Sequence, residues 1–227
     1  MSDLTSDEVA AARTALVGYS ARLLGDGLAV GSAGNLSVRA AGVVAITPSG
    51  LPYADIRPGD ICLVDSAEDL AGKATHGPGA PSSETPMHLA IYAATGAGAV
   101  VHTHSPEVVA LSASRPELPA VHYAITALGG PVRVTPYARF GSADLAARAV
   151  EALQDRTAVI LGNHGAVTYG RDLAQAYDRA LLLEWLARAY RLSLSYGEPA
   201  VLSPAQLDEV TAESRRRRYG ESSGGRP

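Results

Sequence analysis

Short apolar runs alternate along the chain with segments of helical periodicity, and this alternation limits the fold classes that the sequence can adopt. Three runs rich in β-branched residues have the length of buried strands: "VVAIT" (43–47), "AVVHTH" (99–104) and "AVILG" (158–162). Helix starts lie between such runs, as where Ser105 precedes Pro106 and where Asp172 stands three residues before Gln175. We therefore expect an α/β domain in which helices cover a central sheet.

The sheet is predicted to be mainly antiparallel or mixed, because two of its strands form a hairpin. "NLSVR" (35–39) and "VVAIT" (43–47) flank a turn at Ala41-Gly42. The Gly/Pro-rich stretch 72–81 is predicted to be a loop, and the polar residues 215–227 a mobile tail in which "RRRR" is solvated. Since no linker divides the chain, we expect residues 1–227 to form one domain.

Composition excludes several classes of protein. Hydrophobic residues make up 47% and charged residues 19% of the 227 positions, which suits a buried core and not a disordered chain. The formal net charge of −4 gives no strong field to attract nucleic acid or an anionic membrane. The first ten residues lack the order of a signal peptide, and no apolar run has the length of a membrane span. We therefore expect a cytoplasmic protein without nucleic-acid or membrane partners.

Residue counts exclude cysteine-based and lysine-based chemistry. Cys62 is the only cysteine, so the chain has no internal disulfide and no cysteine-based zinc site, and its apolar neighbours predict a buried thiol. Lys73 is the only lysine and lies in the predicted loop, whereas a Schiff-base lysine needs a rigid and desolvated position. Lysine-dependent cleavage of carbon–carbon bonds is therefore not expected.

Three histidines stand at the ends of predicted strands. His102 and His104 lie two residues apart at the end of "AVVHTH", so both side chains point to one face of the strand. His164 follows another apolar run in the turn "GNHG". Each could be an ordinary polar residue at a strand end. Together they have the number and type of protein ligands of a catalytic zinc ion, which keeps one position open.

Glu84 and His88 each admit two interpretations. Glu84 follows Ser82-Ser83 at a predicted helix start, where it is either a charge that suits the helix dipole or a general acid/base beside a metal ion. His88 lies four residues later on the same helix face and is interpreted as a structural residue, with a supporting role in the site as the alternative.

Three Gly/Ser-containing segments could bind an anion through backbone N–H groups and hydroxyls. They are "GSAGN" (31–35), "PSG" (48–50) and "PSS" (81–83). Taken singly, each is typical of a turn. The chain has neither a Walker A sequence nor a G-x-G-x-x-G fingerprint, so nucleotide binding is not indicated.

The order of several segments resembles the class II (zinc-dependent) aldolase/adducin family. The motifs are "GSAGNLSVR", "AITPSGLPY", "PSSE", "VVHTHS", "AVHYAI", "PYARFGS" and "LGNHGAV", within residues 5–197. The resemblance implies a three-layer α/β/α domain. It also implies a homotetramer with active sites between subunits.

The resemblance also assigns roles to single residues. Zinc, or another divalent ion, would bind the three histidines, and Glu84 would be the catalytic acid/base that can occupy the metal when no substrate is bound. Tyr123 would reach into the neighbouring subunit's site, and Tyr219 would be a catalytic tyrosine of the tail. The substrate phosphate would bind Ser32, Asn35, Ser49, Gly50, Ser82 and Ser83.

Within the family, the motifs are most similar to those of aldolases acting on L-fuculose 1-phosphate. The implied reaction is zinc-dependent cleavage or condensation of such a ketose 1-phosphate, with dihydroxyacetone phosphate and an aldehyde as products. Methylthioribulose-phosphate dehydratases, deoxyribulose-phosphate aldolases and sugar-acid-phosphate decarboxylases are alternatives. Glu84 argues against 4-epimerases, which usually carry Asp there, and the histidines argue against non-catalytic adducin-like interaction modules.

Overall fold

The computed structural model of the chain describes residues 4–65 and 74–217. The helices in these ranges are α1 (Asp7–Gly25), α2 (Thr85–Ala94), α3 (Pro106–Ser112), α4 (Ala143–Ala152), α5 (Leu173–Ser193) and α6 (Pro204–Arg216). The strands are β1 (Asn35–Ala40), β2 (Val43–Ile46), β3 (Cys62–Asp65), β4 (Ala74–His76), β5 (Ala99–Thr103), β6 (Glu117–Leu118), β7 (Val132–Thr135), β8 (Ala158–Leu161) and β9 (Gly165–Gly170). Two 3-10 helices span Pro58–Asp60 and Tyr123–Leu128.

The described strands form one sheet in the order β4-β3-β2-β1-β5-β9-β8-β7-β6. Neighbouring strands run antiparallel, apart from the parallel pair β7 and β8. The predicted hairpin is confirmed, because Ala40 of β1 pairs with Val43 of β2 across the turn. The sheet is therefore mixed but mainly antiparallel, as predicted.

Helices cover both faces of the sheet. On one face, Met87 of α2 and Leu145 of α4 share an apolar cluster with Val100 of β5. On the other face, Leu16 of α1 packs in a second cluster that contains Val101. Because successive strand residues point to opposite faces, both sides of β5 are buried, which explains its continuous apolar sequence. The predicted three-layer α/β/α arrangement is confirmed.

Most predicted helix starts are also confirmed. Ser105 is the N-cap residue of α3, and Asp172 accepts a hydrogen bond from the Gln175 N–H at the start of α5. Cys62 is buried, as predicted. None of the helices in the two described ranges is both long and apolar enough to cross a membrane.

Two segments differ from the sequence interpretation. The prediction that residues 72–81 form a loop is wrong at β4, which pairs with β3. The sequence does not indicate this edge strand because three residues are too few to show a periodic pattern. Helix α6 is not among the predicted helices; it begins with a capping box in which Ser203 and Gln206 exchange hydrogen bonds. Of the predicted tail, Arg215 and Arg216 form the last turn of α6, whereas residues 218–227 lie outside the described residues.

The topology brings several loops to one end of the sheet. Strand β1 begins at Asn35, which lies opposite His102 near the end of β5. Strand β9, which pairs with β5, begins at Gly165 beside the same end. A bridge between Pro48 and Pro81 ties the segment after β2 to the segment before α2. The ends of β2, β1, β5 and β9 and the start of α2 therefore lie around one region at this end of the sheet.

Candidate metal centre and cleft

Three histidines and one glutamate converge at this end of the sheet. One donor atom from each of Glu84, His102, His104 and His164 lies within 4.8 Å of the others. The Nε2 atoms of His102 and His104 are 2.9 Å apart, and the three rings pack edge to face with centroid separations of 4.7, 4.9 and 4.8 Å. Glu84 Oε2 lies 2.8 Å from His102 Nε2, and Glu84 Oε1 lies 3.3 Å from His164 Nε2. The histidines singled out in the sequence are therefore brought together, with Glu84 beside them.

The sheet backbone fixes where each histidine stands. His102 is a residue of β5 itself. His104 follows the strand end, where its backbone N–H donates a hydrogen bond to the Leu28 carbonyl at 2.9 Å. His164 lies in the β8–β9 turn after Asn163, whose left-handed backbone (φ 54°) asparagine tolerates better than most residues. Neighbouring elements of a packed sheet thus deliver the three side chains.

Two glycines allow backbone to approach the histidine strand closely. A Cβ on Gly165 would lie 2.1 Å from the Thr103 carbonyl oxygen and 3.3 Å from Cδ2 of His104. A Cβ on Gly34, whose φ is +86°, would lie 2.8 Å from the His102 carbonyl oxygen. A side chain at either position would force the backbone that carries the histidines to move.

The donor set fits a metal ion of the zinc type. His102 Nδ1 lies 3.0 Å from the Ala166 carbonyl oxygen, so Nδ1 donates a hydrogen bond and Nε2 faces the cluster. Among the described residues, Glu84 Oε1 is buried and makes no hydrogen bond, although His164 Nε2 is 3.3 Å away. Imidazole nitrogens grouped around such a carboxylate oxygen are ligand types that Zn²⁺ prefers.

Burial and mutual contact set the charges of the cluster. Burial, together with repulsion from His102 and His164, lowers the pKa of His104 to about 4, and burial and repulsion from His102 also lower the pKa of His164. Burial opposes a charge on His102, but the Glu84 carboxylate outweighs this effect and raises the His102 pKa. Burial likewise opposes a charge on Glu84, yet His102 and His164 hold the pKa of its carboxyl below the usual range. These shifts favour a positive charge on His102 beside the Glu84 carboxylate, and neutral rings at His104 and His164.

A cleft of about 340 Å³ opens onto this cluster. Its polar lining includes every residue that the family resemblance assigns to phosphate: Ser32, Asn35, Ser49, Gly50, Ser82 and Ser83. Its lining also includes the aromatic side chains of Tyr137 and Phe140, which are 64% and 59% exposed. The cleft therefore presents polar groups and an apolar surface beside one candidate metal centre.

The polar lining residues divide into two groups by burial. Ser82 is buried, and its Oγ accepts a hydrogen bond from the Glu84 backbone N–H at 3.2 Å. Asn35 is buried, and its Nδ2 donates to Glu84 Oε2 at 3.0 Å. The exposed members are Ser32, Ser49, Gly50 and Ser83. The buried pair is thus in contact with Glu84, whereas the exposed residues face the open cleft.

Of the two tyrosines singled out in the sequence, Tyr123 is not among the described residues that line this cleft. Tyr123 begins a 3-10 helix, is 57% exposed and stacks on His122 with ring centroids 4.5 Å apart. Trp185 packs edge-on against the same His122 ring at 5.0 Å. Tyr219 lies outside the described residues. Tyr123 is therefore presented at the surface and not to the cleft of its own chain.

Three lining residues with aromatic or amide side chains were not singled out in the sequence: Tyr137, Phe140 and Asn163. Single aromatic residues in an irregular loop carry no periodic signal, so residue chemistry alone did not select Tyr137 and Phe140. Both lie in the motif "PYARFGS", and Asn163 lies in "LGNHGAV". The resemblance motifs could therefore have identified all three as neighbours of the site.

Comparison with protein families agrees with this geometry. A family model described as the class II aldolase and adducin N-terminal domain matches residues 14–191. That range contains all elements from within α1 to nearly the end of α5, and therefore the whole histidine cluster.

Several known proteins are similar over most of their length. A 5-deoxy-D-ribulose 1-phosphate aldolase from Bacillus thuringiensis serovar kurstaki is 37% identical over 201 residues, covering 87% of this chain and 92% of the relative. A 5-methylthioribulose-1-phosphate/5-deoxyribulose-1-phosphate aldolase from Rhodospirillum rubrum is 41% identical over 186 residues, covering 81% and 82%. The solved structure of an L-fuculose 1-phosphate aldolase matches with a TM-score of 0.84 and 35% identity, covering 91% of this chain and 96% of that one.

Proposed function

The chain belongs to the class II aldolase and adducin family, as its motifs predict, and on that premise we propose that it cleaves a ketose 1-phosphate into dihydroxyacetone phosphate and an aldehyde. The observation that carries the proposal is the position of the histidine–glutamate cluster in the wall of a cleft lined by Gly/Ser loops. The cluster supplies groups for charge stabilisation and proton transfer, and the loops supply groups for a phosphate.

In the proposed site, His102, His104 and His164 hold a divalent ion, with zinc as the expected metal. A bound ion of this kind acts as a Lewis acid, which stabilises the negative charge that develops on substrate oxygens when the carbon–carbon bond breaks. The sheet fixes the backbone of the histidines. The hydrogen bond from His102 Nδ1 to the Ala166 carbonyl oxygen orients the ring so that Nε2 points toward the ion.

Glu84 is the proposed acid/base. Its carboxylate is buried beside the three imidazoles, so a proton needs to travel only a short distance between it and a substrate carbon held at the cluster. In cleavage, the carboxyl group delivers a proton to the carbon that becomes C3 of dihydroxyacetone phosphate. In condensation, the carboxylate removes that proton.

The exposed loop residues are the proposed phosphate site. Ser32, Ser49 and Ser83 place hydroxyls around the cleft, and hydroxyls together with backbone N–H groups are common phosphate partners. Binding the phosphate at a fixed distance from the cluster orients the reacting carbons, which lowers the entropic part of the barrier.

The aromatic part of the cleft favours an aldehyde with an apolar end. Tyr137 and Phe140 are exposed cleft residues that can cover a methyl group. 5-Deoxy-D-ribulose 1-phosphate and L-fuculose 1-phosphate both carry a terminal methyl group, and relatives named for each are at least 35% identical to this chain. We propose 1-phosphates of such terminally deoxygenated ketoses as the substrate class.

The proposed active unit is a homotetramer in which Tyr123 serves the site of a neighbouring subunit. The support is its exposure and its absence from the described lining of its own chain's cleft. A phenol can donate a proton and accept it back, which suits the oxygen that becomes the aldehyde carbonyl. Tyr219 is proposed to contribute from the tail.

A lyase assay tests the proposal. Purified protein is supplied with L-fuculose 1-phosphate, 5-deoxy-D-ribulose 1-phosphate or 5-methylthioribulose 1-phosphate, and dihydroxyacetone phosphate is measured by NADH-coupled reduction. We expect metal-dependent release of dihydroxyacetone phosphate from at least one sugar, lost after chelation and restored by Zn²⁺. Loss of water or carbon dioxide from a sugar phosphate without dihydroxyacetone phosphate would instead assign the site to a dehydratase or decarboxylase.

A further inference from the structure

A chain of buried hydrogen bonds runs from Glu84 away from the cleft. Asn35 Nδ2 donates to Glu84 Oε2 at 3.0 Å, and Asn35 Oδ1 lies 2.6 Å from His88 Nε2. On the far side of the imidazole, His88 Nδ1 lies 2.7 Å from Ser37 Oγ, which lies 2.9 Å from the Tyr92 hydroxyl. All five residues are buried, and His88 is fully buried. The chain therefore connects the proposed acid/base to the packed layer between α2 and β1.

The direction of each bond in this chain follows from its cleft end. An ionised carboxylate only accepts hydrogen bonds, so the amide atom of Asn35 that faces Glu84 is the NH₂ group and Oδ1 faces His88. Oδ1 only accepts, so His88 Nε2 carries the proton. Burial, reinforced by repulsion from His102, lowers the pKa of His88 to about 3, so the ring is neutral and Nδ1 accepts from the Ser37 hydroxyl. The Tyr92 hydroxyl then donates to Ser37 Oγ.

We propose, on the basis of the proposed role of Glu84, that His88 is a positioning residue that fixes the orientation of the Asn35 amide and thereby the position of the Glu84 carboxylate. The two ends of an amide have nearly the same shape, so packing alone does not distinguish them. A rotation of the amide by half a turn would bring Oδ1 against the carboxylate and replace a hydrogen bond with repulsion. The Nε2–H of His88 prevents this rotation because it requires an acceptor.

Ser37 and Tyr92 complete the device by selecting the tautomer of His88. A histidine protonated at Nδ1 would present the lone pair of Nε2 to Asn35 Oδ1. No hydrogen bond from His88 would then hold the Asn35 amide with its NH₂ group toward Glu84. The Ser37 hydroxyl has one proton, which it can donate to Nδ1 while its oxygen accepts from the Tyr92 hydroxyl 2.9 Å away. The orientation of Glu84 is thus determined three side chains away from the cleft.

A matched set of variants tests the positioning role. His88→Gln keeps an N–H donor near the place of Nε2, whereas His88→Leu removes it at similar volume, and Met87→Leu changes packing on the same helix without touching the chain. Loss of a group that orients a metal-site residue typically reduces activity 10- to 100-fold. We therefore expect kcat of His88→Leu to fall by about that factor, with KM for the ketose 1-phosphate and metal content unchanged.

The same series separates positioning from plain packing. We expect kcat of His88→Gln to lie within about threefold of wild type and well above that of His88→Leu, although both remove the ring. Equal rates for the two variants, or a wild-type kcat in a folded His88→Leu protein, would overturn the proposal.

A spectroscopic measurement on the wild-type protein covers the case in which His88→Leu does not fold. Nitrogen NMR of histidine-labelled protein should show His88 neutral and protonated at Nε2, and protonation at Nδ1 would overturn the inferred direction. This readout does not depend on catalysis. A wild-type protein that releases no dihydroxyacetone phosphate would refute the proposed function and the catalytic consequence for His88, while the tautomer would still decide the hydrogen-bond chain.

Discussion

The two parts of the cleft are built in different ways. The histidine part stands on strands and a strand turn, and its side chains contact one another within a packed sheet. The phosphate part consists of turns whose serines at positions 32, 49 and 83 are exposed. The comparison indicates that the proposed charge-stabilising groups are held in place by the fold, whereas the proposed phosphate-binding groups depend on loops that a ligand can still adjust.

This difference predicts unequal effects of substitution. In the proposed reaction, groups in the histidine part act as one unit on the reacting atoms, so removing one should disable the rest. Groups in the loops would act separately on a remote phosphate, and each would contribute a fraction of its binding. Four predictions follow this gradient from the largest effect to the smallest.

The largest effect is expected for His104→Ala. The variant leaves two imidazoles, below the three protein ligands typical of a catalytic zinc site, so both bound metal and lyase activity should be lost. His76→Ala, which changes a histidine of edge strand β4, serves as the control and should retain both. Metal content by mass spectrometry and the coupled assay are the measurements, and full metal occupancy in His104→Ala would remove this residue from the ligand set.

The next largest effect is expected for Glu84→Gln, which keeps the shape of the side chain but cannot accept the proton. Metal content should be retained because the three histidines remain. Exchange of the C3 proton of dihydroxyacetone phosphate with deuterium should fall by about 10²- to 10⁴-fold, the usual contribution of a general acid/base. Exchange at the wild-type rate would reduce Glu84 to a charge at the start of α2.

The sequence predicts the histidine part of the cleft better than the loop part, because only the histidine part lies on an element with a regular period. His102 lies on β5 and His104 directly after its end, and the two-residue period of a strand predicts that both side chains point to one face. The Gly/Ser loops have no period, so taken singly each is typical of an ordinary turn, and only the order of the motifs distinguishes them. The resemblance supplied what local pattern could not.

Other features required the three-dimensional structure. The partners of His88 lie 51 and 53 positions away in the sequence, so its two interpretations could not be separated before the contacts with Ser37 and Asn35 were known. The edge strand β4 depends on pairing with β3 and not on its own sequence. Helix α6 has a capping box but no buried residue, so no apolar stripe marked it.

An intermediate effect is expected for Tyr123→Phe, because this side chain is predicted to serve a second subunit. If it does, mixing Glu84→Gln subunits with Tyr123→Phe subunits by dissociation and reassembly creates some sites with a native Glu84 and a native Tyr123. Activity should then rise well above that of either variant. If Tyr123 serves its own chain, every site keeps one lesion and mixing restores nothing. Light scattering supplies the control, since an active monomer would exclude a shared site.

The smallest effects are expected in the loops, and they distinguish the two kinds of serine found there. The hydroxyl of Ser83 is exposed in the cleft, so Ser83→Ala should raise KM for the ketose 1-phosphate about tenfold, corresponding to one hydrogen bond to a charged group at about 1.4 kcal/mol, with little change in kcat. Ser82 is buried and accepts from the Glu84 N–H, so Ser82→Ala should instead lower kcat and thermal stability by releasing the start of α2.

Ser195→Ala, an exposed serine beyond α5, is the control and should leave both parameters unchanged. If Ser82→Ala and Ser83→Ala both changed KM alone, the buried hydroxyl would belong with the phosphate loops. Ser82 would then belong to the adjustable part of the cleft, although its Oγ contacts the Glu84 backbone.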